Sequence, residues 1–224
     1  MSPRRVLVIA PHPDDEVLGA GATMCKLAEA GAEVSVVIVS RAQPPRFPAE
    51  LGRAGVDEAR KAHDLLGVAN TTVLDFPIAE LDQVSHADMN AQLLDVFSER
   101  RPDVVFLPFG HDLFLDHQRV SLSALVCARP IGAAPPAGVY GYETLSQSNW
   151  NAPWTPRFSP TAFVDVAAEL DRKVAAMECF ASQIRPFPHE RSSEAIRALA
   201  TLRGAQFGCH AAEAFVTIRQ RMLG

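Results

Sequence analysis

The amino-acid sequence predicts an α/β fold built on a mostly parallel sheet, and three observations point there. Apolar runs of strand length alternate with helix-like segments over residues 1–129, the order that crossover connections in a parallel sheet produce. The runs Val6–Ala10, Val34–Val39 and Val104–Leu107 are rich in β-branched and large aliphatic residues, as strands buried on both faces are. Two polar clusters, Pro11–Glu16 and Gly110–His117, follow the first and the last of these runs, at the sheet rim where open α/β folds bind ligands. A chain of 224 residues, 48% of them hydrophobic, fits a single domain: a core over 1–129 with 130–224 packed on it as a C-terminal elaboration.

Val17–Ala30 reads as a helix with Leu18, Met24, Cys25 and Ala28 inward, and Gly31 stands where a C-cap glycine would. Its Gly19-Ala20-Gly21 does not make a dinucleotide fingerprint, because the turn straight after the strand holds Pro11–Glu16 instead of the first glycine. These glycines suit close packing of the helix on the sheet. Glu33–Ser40 is a buried strand, and Pro44, Pro45 and Pro48 make Arg41–Glu50 a loop leaving the same rim. Asp57–Leu66 is helical and closed by Gly67, and Thr72–Leu74 is a short strand. Met89–Arg100 carries Met89, Leu93, Val96 and Phe97 on one face and is broken by Pro102. After the strand Val104–Leu107 and the second polar cluster comes a helix over Gln118–Ala128.

Beyond Arg129 the pattern changes. Pro130, Pro135 and Pro136 punctuate a linker, Val139–Leu145 reads as a strand, and Ser146–Pro160 is a polar loop holding Trp150 and Trp154. Ala162–Val166 is strand-like, and Glu169–Ser182 and Ser192–Leu202 are helical, the latter capped by Ser192 or Ser193. Ala211–Arg219 suits either a helix or a strand.

Composition excludes several classes of partner. A net charge of -5 leaves no basic stripe for nucleic acid, and a small, mildly polar ligand fits this balance better. Met1–Arg5 ahead of Val6–Ala10 has the outline of a signal peptide, but the apolar run is too short and three acids follow at once. No stretch approaches a membrane span. Cys25, Cys127, Cys179 and Cys209 form no close pair, which suggests buried free thiols in a cytoplasmic protein.

The residues themselves suggest a metal site. Zinc takes imidazole nitrogen and carboxylate oxygen, and catalytic sites keep three protein ligands plus water. His12 and Asp15, three apart across a tight turn, can present two ligands, and His117 on the same rim a third. Asp14 between the first two would stand beside the bound water as a general base. On spacing alone a plainer reading stays open, in which Asp14, Asp15 and Glu16 merely favour the first turn of a helix. It accounts for the acids but not for the histidine and prolines before them.

Pro11-His12-Pro13-Asp14-Asp15-Glu16 resembles the signature of the PIG-L/LmbE-like zinc N-deacetylases. Later stretches resemble that family in matching order: Leu107-Pro108 leading into Asp116-His117, Val139-Tyr140-Gly141-Tyr142-Glu143, Phe163–Val166 before Lys173, Ser182-Gln183, Arg203-Gly204 and Glu213-Ala214-Phe215. The resemblance implies a Rossmann-like three-layer sandwich with Zn²⁺ on His12, Asp15 and His117. It implies Asp14 as the base, and an N-acetylated amino-sugar conjugate as substrate. Alternatives are a hydrolase of a different small-molecule amide, or a catalytically faded carbohydrate-binding relative; a homo-oligomer is compatible with either.

One position departs from the pattern. Many family members carry a histidine three residues before the last ligand, as oxyanion donor or general acid; here that position is Phe114. His111 is a candidate substitute or a plain loop histidine, and Asp116 a candidate to orient a neighbouring ligand or to assist the acid chemistry. Arg53 is a candidate substrate-binding residue or a solvent-exposed one, because the family spacing would place that arginine at Gly55. Trp150 and Trp154 could stack on a sugar face or pack the C-terminal loop.

Overall fold

The computed structural model describes residues 3–130 and 135–221. The middle of the Pro130–Pro136 linker and the Met1-Ser2 start of the signal-like segment lie outside them. In chain order the elements are β1 (Arg5–Ala10), α1 (Asp15–Glu29), β2 (Glu33–Arg41), α2 (Ala49–Leu66), β3 (Asn70–Pro77), α3 (His86–Arg100), β4 (Val104–Pro108) and α4 (Leu115–Cys127). The second half adds β5 (Gly138–Tyr142), β6 (Ala162–Asp165), α5 (Leu170–Glu178), α6 (Ser193–Phe207) and β7 (Ala212–Gln220).

The seven strands form one sheet in the order β3-β2-β1-β4-β5-β7-β6. β1 to β5 are parallel, and β7 runs antiparallel between β5 and β6. From β1 the chain first builds outward through β2 and β3, then returns to lay β4 on the other side of β1. The order therefore reverses between β1 and β4, which puts a crevice at their carboxyl ends. Val6 pairs with Val104 and Val8 with Phe106 across this switch.

Alternation along β1 splits the core in two. Val6, Val8 and Ala10 pack with residues of α1, α2, α5 and α6, whereas Leu7 and Ile9 pack with Met89, Leu93 and Val96 of α3 and Val120 of α4. All five are essentially inaccessible, and burying each large aliphatic side chain contributes roughly 1.5–3 kcal/mol. The result is the expected α/β three-layer arrangement. Among the described residues no helix is long and apolar enough to cross a membrane.

Several boundaries differ from expectation. α2 begins at Ala49, eight residues before the anticipated Asp57, because Pro48 ends the proline-rich turn and the helix tolerates Gly52 and Gly55. β3 extends to Asn70–Pro77 along the exposed edge. α4 starts at Leu115 instead of Gln118, with extended Phe114 as its N-cap, so Asp116 and His117 stand in a helical first turn. β5 stops at Tyr142 and β6 at Asp165, while α5 is the shorter Leu170–Glu178. α6 runs on to Phe207, with Ser192 Oγ accepting from Ala195 N at 3.1 Å. The tail is a strand. All four cysteines are free, but only Cys25 is buried and the others are half-buried.

α1 is broken at Ala20, whose φ of -141° and ψ of 16° are not helical. The C-terminal half fills the break. Lys173 Nζ donates to Leu18 O at 2.8 Å, and Glu213 accepts from Ala22 N at 3.0 Å and Thr23 N at 2.7 Å. Lys173 and Glu213 pair at 2.6 Å, both buried. Gly19 lies under Tyr142, whose ring any Cβ there would overlap. Tyr142 in turn donates its hydroxyl to Ile9 O at 2.9 Å.

Removing one partner of a buried ion pair strands the other's charge. Lys173→Met should therefore lower the unfolding free energy by about 3–5 kcal/mol, read from urea unfolding. Adding Glu213→Gln, which keeps an acceptor for the two amides while removing the charge, should recover part of that loss.

Candidate active site

The turn after β1 is shaped by its own polar atoms. Pro11 O accepts from both Ser40 N and Ser40 Oγ, at 3.0 and 2.8 Å, and Asp15 Oδ2 accepts from His12 N at 3.0 Å. Asp14, the residue before α1, has φ 115°, a left-handed conformation that costs a non-glycine residue on the order of 1–3 kcal/mol. Its backbone is held there from both sides. Asp14 O accepts from Val17 N and Leu18 N, and Asp14 N donates to Glu16 Oε2 at 3.2 Å. Glu16 Oε1 lies 3.0 Å from His63 Nε2, and His63 Nδ1 lies 2.7 Å from Thr71 Oγ1. His63, without a partner by spacing, is thus a buried residue of the supporting frame.

β1 and β4 being neighbours, the two polar clusters converge. Ligand-type atoms of His12, Asp15 and His117 all lie within 4.8 Å of one another, and all three residues are buried. Asp15 Oδ2 is 3.1 Å from His12 Nδ1 and 3.2 Å from His117 Nε2. The remaining ring nitrogens face carboxylates: His12 Nε2 is 2.9 Å from Asp116 Oδ2, and His117 Nδ1 is 2.8 Å from Asp112 Oδ2. These acids are themselves fixed. Asp116 accepts from Ala79 N and Leu81 N, and Asp112 accepts from Ser148 Oγ at 2.5 Å. Imidazoles that bind a metal are commonly held this way through the other nitrogen.

Two buried atoms of the cluster, Asp15 Oδ1 and His117 Nε2, make no well-aligned hydrogen bond, the latter despite lying 3.2 Å from Asp15 Oδ2. Buried polar atoms are rarely left so, and both are donor atoms that a cation would satisfy. The donor set of two imidazoles and one carboxylate suits zinc, so the residues fit the implied metal.

The charges are strongly coupled. Burial disfavours the charged form of His117, but the Asp15 charge and the Asp112 hydrogen bond outweigh it and raise the pKa to about 10. For His12, burial is likewise overcome by the hydrogen bonds from Asp116 and Asp15, and the net shift is upward. Asp15 is held well below the usual carboxylate range despite burial, chiefly by His117. Burial raises Asp112. Burial pushes Asp14 up to about 8, with Arg191 pulling in the opposite direction.

Asp14 opens onto a cavity of about 390 Å³. Phe47, Leu51, Ile78, Phe114 and Phe180 give it an apolar wall, while Glu58, Gln147, Gln183 and Arg191 add polar groups. The proline-rich turn after β2 contributes Ala42 and Phe47, in line with its anticipated place at the rim. Phe114 lies with its ring 5.2 Å from that of His12 and 6.3 Å from that of His117.

Other sequence candidates are not brought to the cavity. His111 is exposed against the edge of Phe109. Arg53 is exposed and pairs with Glu50 at 2.7 Å, whereas Gly55 does line the cavity beside Pro13. Trp150 donates its indole N–H to Glu190 at 2.6 Å, and Trp154 is 88% exposed. Two residues escaped the sequence reading. Asp112 carried a signal, an acid five residues before a candidate ligand in a polar cluster. Arg191, 2.8 Å from Asp14 Oδ2, carried none.

Comparison with known proteins places these features in context. The PIG-L family model (GlcNAc-PI de-N-acetylase) matches residues 7–128. Diacetylchitobiose deacetylase of Thermococcus kodakarensis is 24% identical over 94% of this chain and 81% of its own length. 1D-myo-inositol 2-acetamido-2-deoxy-alpha-D-glucopyranoside deacetylase of Kineococcus radiotolerans is 30% identical over 63% of this chain, which spans half of that protein. The crystal structure of a 4-carboxy-2-hydroxymuconate hydratase from Pseudomonas putida shares the fold, with a TM-score of 0.78, 24% identity and 98% of each chain covered.

A cation entering the cluster must displace the His117 proton, so at pH 7 metal uptake should release at least one proton and tighten from pH 6 to pH 8. Calorimetry in buffers of different ionisation enthalpy measures this; uptake without proton release would contradict it. In metal-free protein the charged His117 stabilises the fold fully below the unfolded value of 6.5, and this contribution is lost as pH rises through about 10. The thermal midpoint of chelated protein should therefore fall over that window, and less so with metal bound. Asp112→Asn should weaken metal affinity about 10–100-fold, measured by competition with a chromogenic chelator.

Proposed function

The chain belongs to the PIG-L family of deacetylases, and from that premise we propose that it hydrolyses the N-acetyl group of an amino-sugar-containing small molecule using Zn²⁺. The observation that carries this reading is the pair of unpartnered buried atoms, Asp15 Oδ1 and His117 Nε2, beside an Asp14 carboxylate at the cavity. His12, Asp15 and His117 are the proposed ligands. Bound there, zinc supplies a Lewis acid that polarises an amide carbonyl and acidifies water.

The chain's own residues do the rest. Asp116 and Asp112 orient the imidazoles, so that each presents a fixed nitrogen. The Glu16–His63–Thr71 chain keeps Asp14 in its left-handed conformation with the carboxylate at the cavity. Asp14 Oδ2 takes the proton of the attacking water and delivers it to the amine nitrogen as the C–N bond breaks, leaving amine and acetic acid. The apolar wall around Phe47, Ile78 and Phe114 receives the acetyl methyl and the apolar face of the sugar. The free thiols favour a cytoplasmic setting.

A panel of N-acetylated sugar conjugates, assayed for acetate with and without added zinc, tests the reading. Asp14→Asn should retain stoichiometric zinc while kcat drops at least about 10²–10⁴-fold. His117→Ala should lose the metal itself. Unchanged turnover in Asp14→Asn would remove the base from the mechanism. Release of an acyl group other than acetate would change the substrate class. Hydration of an unsaturated tricarboxylate without acetate release would replace hydrolysis by the reaction named for the Pseudomonas relative. Sugar binding with no turnover by zinc-loaded protein would leave a binding protein.

A further inference from the structure

We propose that Arg191 is a catalytic residue of this site: its Nη1 holds the Asp14 carboxylate, and its Nη2 donates to the oxygen that becomes negative on the substrate's acyl carbon. The inference rests on the deacetylase reading and supplies the donor that Phe114 cannot be, since a phenyl ring offers no N–H or O–H.

The guanidinium is built into the site. Nη1 donates to Asp14 Oδ2 and to Gln183 Oε1, each at 2.8 Å, and Nε donates to Ser146 Oγ at 3.2 Å. Nη2 has no hydrogen-bond partner among the described residues, although the side chain is only 17% exposed and lines the cavity. Three hydrogen bonds from two nitrogens thus fix the plane, and the third nitrogen is left for a ligand. The backbone is anchored as well. Arg191 N donates to His189 Nδ1 at 3.0 Å, Arg191 O accepts from Arg185 N, and the next residue, Ser192, caps α6.

Competing donors on the cavity wall are weaker candidates. Ser182 gives both N and Oγ to Glu58, and Gln183 gives its amide N–H to Ser182 Oγ. Gln147 is free, but it is neutral. Among the described residues Arg191 is the only arginine or lysine on the wall, and donors with full charge make the stronger hydrogen bonds to anions.

The step balances without any further reactant. Water oxygen bonds to the acyl carbon, the carbonyl π pair moves onto oxygen where Nη2 meets it, and Asp14 takes the water proton. The pair then re-forms the carbonyl, the C–N bond breaks, and nitrogen takes the proton from Asp14. Arg191 gains and loses nothing.

The test uses zinc-loaded wild type, Arg191→Met, Arg191→Lys and Gln147→Ala, each checked for zinc content and thermal midpoint. Calorimetric binding of methylphosphonate, a tetrahedral anion of acetyl size, is compared with binding of neutral acetamide. Arg191→Met should weaken methylphosphonate on the order of 10²-fold and leave acetamide within about threefold, the size of effect expected for one oxyanion donor. Arg191→Lys, which keeps the charge and protects against misfolding, should fall between. With a turned-over substrate, Arg191→Met should lower kcat by about 10²–10³ with little change in KM, added guanidinium should restore part of it, and Phe114→His in that background should do the same. Methylphosphonate binding within threefold of wild type in both arginine variants, or a larger loss in Gln147→Ala, overturns the proposal. Loss of methylphosphonate binding in Arg191→Met, in a protein whose wild type releases no acetate from any conjugate, upholds the anion donor and overturns the deacetylase reading instead.

Discussion

The pairing of β1 with β4 is the constraint on which the whole rim depends. Parallel neighbours end at the same edge of a sheet, so their following turns must share one crevice. The chain obtains this by winding outward twice from β1 and then returning across it. His12 leaves one strand and His117 begins the helix after the other. Neither the three-residue spacing of His12 and Asp15 nor the helical start of α4 would bring imidazole to imidazole without that adjacency. The apolar residues of β1, sealed on both faces, are what keep the strand in the centre.

Packing then surrounds the crevice with charge. Asp14, Asp15, Glu16, Asp112 and Asp116 are all buried, against His12, His63 and His117. Isolated buried charge is expensive, and here imidazoles, backbone amides and one guanidinium offset it in an ordered chain of contacts. In the metal-free state the same surroundings raise His117 to about 10 and shift His12 upward. A divalent cation bound there would take over that balance of charge, and the two atoms left without partners are where it would be held.

How much of this could be read in advance follows from locality. Pro11–Glu16 was legible because its residue types are packed into six consecutive positions after a strand, and His117 because it ends a second such cluster. Asp116 was anticipated as an orienting acid, since it adjoins the candidate ligand His117. Helix starts failed at α2, where Gly52 and Gly55 obscure the periodicity, and at α4, where the N-cap Phe114 offers no polar side chain to mark the start. Arg191 was invisible for a different reason. It lies 177 residues from Asp14, in the connection between α5 and α6, and nothing local in the sequence marks it.

The break in α1 joins the two halves of the chain more tightly than their sequence separation suggests. Leu18 O, Ala22 N and Thr23 N bond to Lys173 and Glu213, and the same helix opens with Asp15. The stretch that carries the family signature ends near residue 128, yet its first helix is finished by side chains far beyond that point. The two halves are therefore not exchangeable parts. A C-terminal half taken from a relative would have to bring its own plug for this helix, and a poor fit there would reach the proposed ligand Asp15 within two turns of helix, so divergence in one half is answerable to the other.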